Sequence, residues 1–349
     1  MYMCSSLKRG LQRYLFYFSI WCIIVVGCLQ KNSTSESEAA GITDLDLKLG
    51  SLDSEIVLHP DQADLYRSRA NIYQEKGQWE NAVNDLERTV SIEPTDIDSW
   101  HLMADILLES FQSRRALETM TAVASKYPDS LNTWLKLSEF QLILKRYSDG
   151  LQTLQTIQEK YPFESEIFFM KGMILKETGN LKAAWREFQL ATREDPGFMD
   201  AWINAGQVLE LLNDTGAIRC YQTALQISPG NVRVMHALAQ YYSNHDETEK
   251  AISQYRELIR IDPGYTFAYY NMGLIYLDLD SLDKAFNHFN IVINVDPSFA
   301  SGYYYRGLVS ELLSNFRSAE SDFNQAVNLN AEDASFREAQ NRIRYKIGR

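Results

Sequence analysis

The sequence predicts an all-α solenoid of about eight helix pairs, and three observations predict it. The chain has eight prolines, Pro60, Pro94, Pro128, Pro162, Pro196, Pro229, Pro263 and Pro297, spaced 34, 34, 34, 34, 33, 34 and 34 residues apart. A residue type placed on such a grid marks a tandem array with a period near 34 residues. Two columns of small residues keep the same beat. One reads Ala70, Ala104, Ser138, Gly172, Gly206, Ala239, Gly273 and Gly307; the other reads Ala82, Ala116, Gly150, Ala184, Ala217, Ala251, Ala285 and Ala319. Small side chains let two helix axes approach closely. Between prolines the apolar spacing is helical, as in Trp100, Met103, Ala104 and Leu107.

The elements follow in chain order. Lys8, Arg9 and Arg13 form a basic start, and Tyr14 to Val26 form a mainly apolar segment, short for a membrane span of about 20 residues. "VVGC" then ends at Cys28, and "QKNSTSESEAAG" is polar, with the composition of a flexible tether over 28–43. Leu45, Leu49, Leu52 and Ile56 fall on one helical face and predict a capping helix within 44–62.

From 63 to 333 each period reads as helix A, a short turn, helix B and a proline-marked turn. Proline has no amide hydrogen to continue a helix and disfavours helical geometry in the residue before it. Large residues complete the pattern: Tyr66, Trp100, Trp134, Phe168, Trp202, Met235, Tyr269 and Tyr303 in helix A, and Leu86, Met120, Leu154, Phe188, Tyr221, Tyr255, Phe289 and Phe323 in helix B. Gly77 and Gly179 sit where helix A needs a left-handed stop. The fifth period is one residue short near Asn213–Gly216, and Ala331 stands at the ninth proline position. Residues 334–349 carry Phe336, Ile343 and Ile347 as a thin apolar stripe and predict a solvating helix.

These columns resemble the tetratricopeptide repeat; Gly273, Tyr276, Ala285, Phe289 and Pro297 carry the pattern within one unit. The resemblance implies a right-handed α-solenoid with capping helices, in which helix A lines a concave groove. In that phase the groove receives Arg67, Asn71, His101, Asp105, Asn204, Gln207, His236, Gln240, Phe267, Tyr270, Asn271, Tyr304 and Tyr305. Its first half is acidic and polar, and its last repeats bring four aromatics together. Such a wall suits an extended peptide or a helix of another protein, while partial burial between adjacent A helices is the competing reading of the aromatics. Two known family uses do not fit. Leu102 stands where the chaperone-tail carboxylate clamp needs Asn, and only Asn204 and Asn271 occupy the asparagine-ladder column.

The first 28 residues resemble a bacterial lipoprotein signal, with residues 1–27 removed and Cys28 carrying the lipid. That resemblance implies an envelope protein, with outer-membrane sorting favoured, facing the periplasm or the surface. An uncleaved signal anchor is the alternative. The net charge of −12 argues against nucleic acid, which favours a basic stripe. No catalytic, cofactor or metal constellation emerges: His59, His101, His236, His245 and His288 are scattered, and no Gly-rich phosphate loop occurs. The sequence therefore predicts a non-enzymatic, membrane-tethered adaptor that binds a protein segment. Glycan binding by the aromatic stretch is the second reading.

Overall fold

The computed structural model describes residues 44–348, so the leader, Cys28 and the tether lie outside the described residues. Within them the chain forms eighteen α-helices and no strand. Helix α1 is Asp44–Leu58. Eight A helices and eight B helices then alternate: α2 Ala63–Glu75 with α3 Trp79–Ile92, α4 Ile97–Glu109 with α5 Ser113–Lys126, α6 Leu131–Ile143 with α7 Tyr147–Gln158, and α8 Ser165–Glu177 with α9 Leu181–Glu194. The series continues as α10 Met199–Leu211 with α11 Gly216–Ile227, α12 Val232–Asn244 with α13 Thr248–Ile261, α14 Thr266–Asp278 with α15 Leu282–Val295, and α16 Ala300–Leu312 with α17 Phe316–Leu329. Helix α18, Ala334–Ile347, closes the array.

The columns explain the packing. All seven alanines and the glycine of the second small column are buried in helix B. Opposite them, the first small column leaves room for the large residue of helix B. A Cβ added to Gly172, Gly206, Gly273 or Gly307 would lie only 2.6, 2.7, 2.6 or 2.8 Å from the ring of Phe188, Tyr221, Phe289 or Phe323. Each helix thus packs on its sequence neighbours in turn, from α1 to α18, as expected of a solenoid.

The proline column and the large column of helix A are joined chemically. Tyr66 Oη, Trp100 Nε1, Trp134 Nε1, Trp202 Nε1 and Tyr269 Oη each donate to the carbonyl of the proline six residues earlier, at 3.0–3.2 Å. The ring fills the inter-helix space while its polar atom fastens the preceding turn.

At the other edge every A helix ends in one left-handed residue. Gly77 and Gly179 are at φ +69° and +78°, and Phe111, Lys145, Asn213, Asp246, Asp280 and Ser314 adopt φ between +53° and +61°. The next amide reaches back five residues, as from Gln78 to the Tyr73 carbonyl at 2.8 Å and from Gln112 to Leu107 at 2.8 Å. In the shortened fifth repeat Asp214 Oδ1 accepts from the Gly216 amide at 2.8 Å, closing the turn at the start of helix B.

Candidate functional site: the A-helix wall

Successive A helices touch one another along the array, α4 with α6, α6 with α8, α8 with α10 and α10 with α12, whereas successive B helices make no comparable contact. The A side is therefore the inner side of the curve, and its wall is the candidate site. Two kinds of rung connect neighbouring A helices across it.

In the first half the rungs are polar. Arg67 bridges Asp64 at 2.5 Å and Asp96, the N-cap of α4, at 2.8 Å. His101 Nε2 pairs with Thr133 Oγ1 at 3.0 Å, and Lys136 Nζ donates to Asp105 at 2.8 Å. Gln74 donates to Glu109 at 3.0 Å. Lys176 Nζ donates to Asn204 Oδ1 at 2.9 Å and to Gln207 Oε1 at 2.5 Å. Desolvation pushes its pKa down to about 8. Arg233 reaches Asp200 at 2.9 Å, and Asn244 reaches Glu210 at 3.0 Å. Arg67, His101, Asp105, Asn204 and Gln207 thus hold the array together, and much of their hydrogen-bonding capacity is used within the chain. Asn71 lies exposed on α2, and Gln240 is half-buried on α12.

In the second half the rungs are aromatic. His236 meets Tyr265 and Phe267 with centroids 5.5 and 6.3 Å apart. Phe267 meets Phe299 at 5.5 Å, Tyr270 meets Phe299 and Tyr305 at 5.2 and 5.6 Å, and Tyr304 meets Phe336 at 4.9 Å. Burial raises the pKa of the Tyr270 hydroxyl well above the ordinary tyrosine value. It pushes His236 down to about 4, leaving the ring neutral, with Nδ1 buried and unpartnered among the described residues. Burial likewise raises the pKa of the Tyr255 hydroxyl above the ordinary tyrosine value, and Asn271 lies beside it. Tyr270, Tyr304 and Tyr305 are half-buried; Phe267, at 48 % exposed, turns a large apolar face outward.

Tyr265 and Phe299, in inter-repeat turns and absent from the predicted groove, and Phe336, expected only as part of the apolar stripe of the closing helix, complete this ladder. Aromatics recur two residues after Pro196, Pro263 and Pro297, at Phe198, Tyr265 and Phe299, which is the sequence signal for the turn members of the ladder. The ladder ends at a charged cluster: Glu311 Oε2 accepts from Arg342 at 2.8 Å, and Glu311 Oε1 accepts from Lys346 at 2.7 Å. His245 is also accounted for. It stacks on Tyr241 at 3.9 Å, and its Nδ1 pairs with the Tyr241 carbonyl at 2.8 Å.

The geometry defines a class: a helix-pair solenoid with a continuous inner wall. Comparison with known proteins agrees. Tetratricopeptide repeat models match residues 220–253 and 268–299, and a model described as anaphase-promoting complex, cyclosome, subunit 3 matches residues 75–157. The chain carries tetratricopeptide repeats, and its fold is the α-solenoid of such proteins. No curated protein matches the chain.

Among solved structures, a tetratricopeptide repeat protein from Parabacteroides merdae aligns with TM-score 0.53 and 15 % identity over 70 % of this chain and 98 % of that one. The C-terminal part of a TPR repeat-containing protein from Cytophaga hutchinsonii aligns with TM-score 0.52 and 16 % identity, over 68 % and 98 %. The APC/C hetero-tetramer Cut9-Hcn1 aligns with TM-score 0.51 and 15 % identity over 87 % of this chain and 60 % of that one. At these identities the likeness is one of fold.

Proposed function

We propose that this protein is a non-catalytic adaptor, held at a bacterial envelope membrane by a lipid on Cys28, that takes up a segment of another protein along its A-helix wall. The observation that carries the binding part is Phe267. It is a half-exposed aromatic, fixed from behind by His236, Tyr265 and Phe299. A rigid, backed aromatic loses little side-chain freedom on binding, which is the usual character of an interface anchor. The anchor part rests on the leader and "VVGC" before Cys28. Among the described residues no helix is long and apolar enough to cross a membrane. Outer-membrane sorting, facing the periplasm or the surface, belongs to the same proposal.

Phe267 is the residue to test. Tyr270 and Tyr304 are interlocked within the ladder, and truncating them would disturb the fold. A photo-crosslinking amino acid at position 267, activated in living cells, is expected to trap a discrete protein adduct that Phe267→Ala abolishes in pull-down. Irradiation that yields no adduct, together with binding of peptidoglycan fragments, would replace the adaptor with the glycan reading. Feeding an alkyne fatty acid tests the tether: wild type takes up the label and Cys28→Ser does not.

A further inference from the structure

Phe111 is the sharpest anomaly outside the A-helix wall. It is 94 % exposed and sits at φ +61°, a conformation that Gly77 and Gly179 occupy at the equivalent turns of other repeats. A bulky residue is strained there. Folding gains nothing visible from it, and retained strain of this kind points toward function.

Its surroundings say what it faces. Lys145 holds the same place in the next turn, with Ile143, 46 % exposed, beside it. Arg114 and Arg146 flank the two turns with side chains 89 % and 55 % exposed, each also near an acid of the following B helix, Glu118 at 3.8 Å and Asp149 at 3.2 Å. The chain enters the fold at this same edge. Asp46, in the first turn of α1, is ion-paired at 2.6 Å to Lys76 beyond the end of α2. Gln74, near that end, donates to Glu109 at the end of α4, two residues before Phe111. The 16 residues from Cys28 to residue 43 reach at most about 55 Å when extended. The opposite edge carries the proline turns with Glu93, Glu159, Glu164 and Asp195, and with Asp129 paired to Lys160; anionic headgroups would repel this acid-rich edge.

We infer that the edge bearing Phe111 and Lys145 lies against the bilayer, with Phe111 inserted at the headgroup boundary and the cations on anionic lipid. This rests on the membrane-tether reading. It adds an orientation: the first repeats lean on the membrane by their A-to-B turns, and the proline turns face away from it. An exposed apolar residue with cations on the same edge is the usual composition of an interfacial contact.

The test uses the full-length acylated protein on vesicles of phosphatidylethanolamine and phosphatidylglycerol. An environment-sensitive fluorophore is placed at Phe111→Cys or, as the opposite-edge control, at Phe163→Cys, which is 73 % exposed in a proline turn. Cys220 is replaced by Ala in both. Lipids carrying a quencher in the acyl chain are expected to quench the probe at 111 about twofold or more and to leave the probe at 163 unchanged. A protein that floats with the vesicles but is quenched at neither position, or equally at both, overturns the orientation and leaves the tether standing. A protein that does not float at all loses both. A second variant, Phe111→Gly with the probe at Lys145→Cys, is expected to melt no lower than the parent probe variant while its quenching falls; unchanged quenching would remove Phe111 from the contact.

Discussion

Arg306 forks across both carboxylate oxygens of Asp322, Nε to Oδ2 at 2.9 Å and Nη2 to Oδ1 at 2.6 Å, inside the last repeat. Arg69 and Asp85 make the same fork in the first repeat, at 2.8 and 2.7 Å. Each arginine also reaches the preceding B-type helix, Arg306 to Asn290 and Arg69 to Asp53, both at 2.7 Å. Most repeats between fill this column with apolar residues such as Met103, Leu137, Leu238 and Met272. Lys171 is the exception, set on Gln155 and Gln158. The forks therefore sit in the two terminal repeats, where an ion pair stands in for the apolar contact made inside.

Breaking the fork is expected to cost more than replacing it. Asp322→Ala leaves a half-buried guanidinium without its carboxylate and should destabilise the C-terminal repeats by about 3 kcal/mol. The double variant Arg306→Met, Asp322→Leu should return to within about 1 kcal/mol of wild type. Hydrogen exchange of α16–α18 in urea reads both, because a solenoid opens locally from its ends. If the double variant opens as readily as Asp322→Ala, the two residues do not act as a pair.

The helix pairs were legible in the sequence because each boundary depends on local chemistry. Proline at one turn and a left-handed residue at the other are properties of single positions, and the aromatic that fastens the proline carbonyl in five of the repeats lies only six residues away. The state of the wall was not legible. Arg67, His101 and Asp105 read as a free polar surface, yet each is engaged by the next repeat. That engagement depends on the approach of one A helix to another. A trace of it does exist in the sequence: the partners Asp105 and Lys136, Lys176 and Gln207, and Glu311 and Arg342 are all 31 residues apart. Phe111 was visible as a phenylalanine in the column of Gly77 and Gly179. Its exposure was not, because a loop tip and an inter-helix gap look alike until the helices are placed.

Gly273 should be hard to replace. An alanine Cβ there would meet the fully buried Phe289 ring at 2.6, 2.8 and 2.9 Å. The ring is stacked against Tyr305 with centroids 5.5 Å apart and has little room to yield. Gly273→Ala is expected to destabilise by about 1–3 kcal/mol, lowering the thermal midpoint. Adding Phe289→Leu, itself destabilising, should make the alanine nearly neutral in that background. Equal losses in both backgrounds would mean that the ring is not the obstacle.

His236 should make the protein acid-sensitive. Its folded pKa of about 4 lies below the ordinary value of 6.5 because the ring is buried beside Tyr255, Tyr265 and Phe267. Between these values the unfolded chain binds a proton that the folded chain refuses. Stability from this group is therefore complete above pH 6.5 and falls as the pH drops toward 4, by at most about 3 kcal/mol. His236→Phe should flatten that part of the urea midpoint against pH. An unchanged slope in the variant would assign the acid sensitivity to carboxylates.

Lys176 predicts the opposite limb of the profile. Its ammonium is held by two neutral amides, and desolvation lowers its pKa from 10.5 to about 8. Between pH 8 and 10.5 the folded protein has lost a proton that the unfolded chain retains, so stability should rise with pH through that window. Below pH 8 the buried charge is a standing cost. Lys176→Met keeps most of the side-chain volume without the charge, and is expected to stabilise by about 1 kcal/mol at pH 7 and to abolish the rise above pH 8. It would also leave Asn204 Oδ1 and Gln207 Oε1 without this donor, which limits the gain. A loss at pH 7 with the alkaline slope intact would show that the two amide hydrogen bonds outweigh the desolvation of the ammonium.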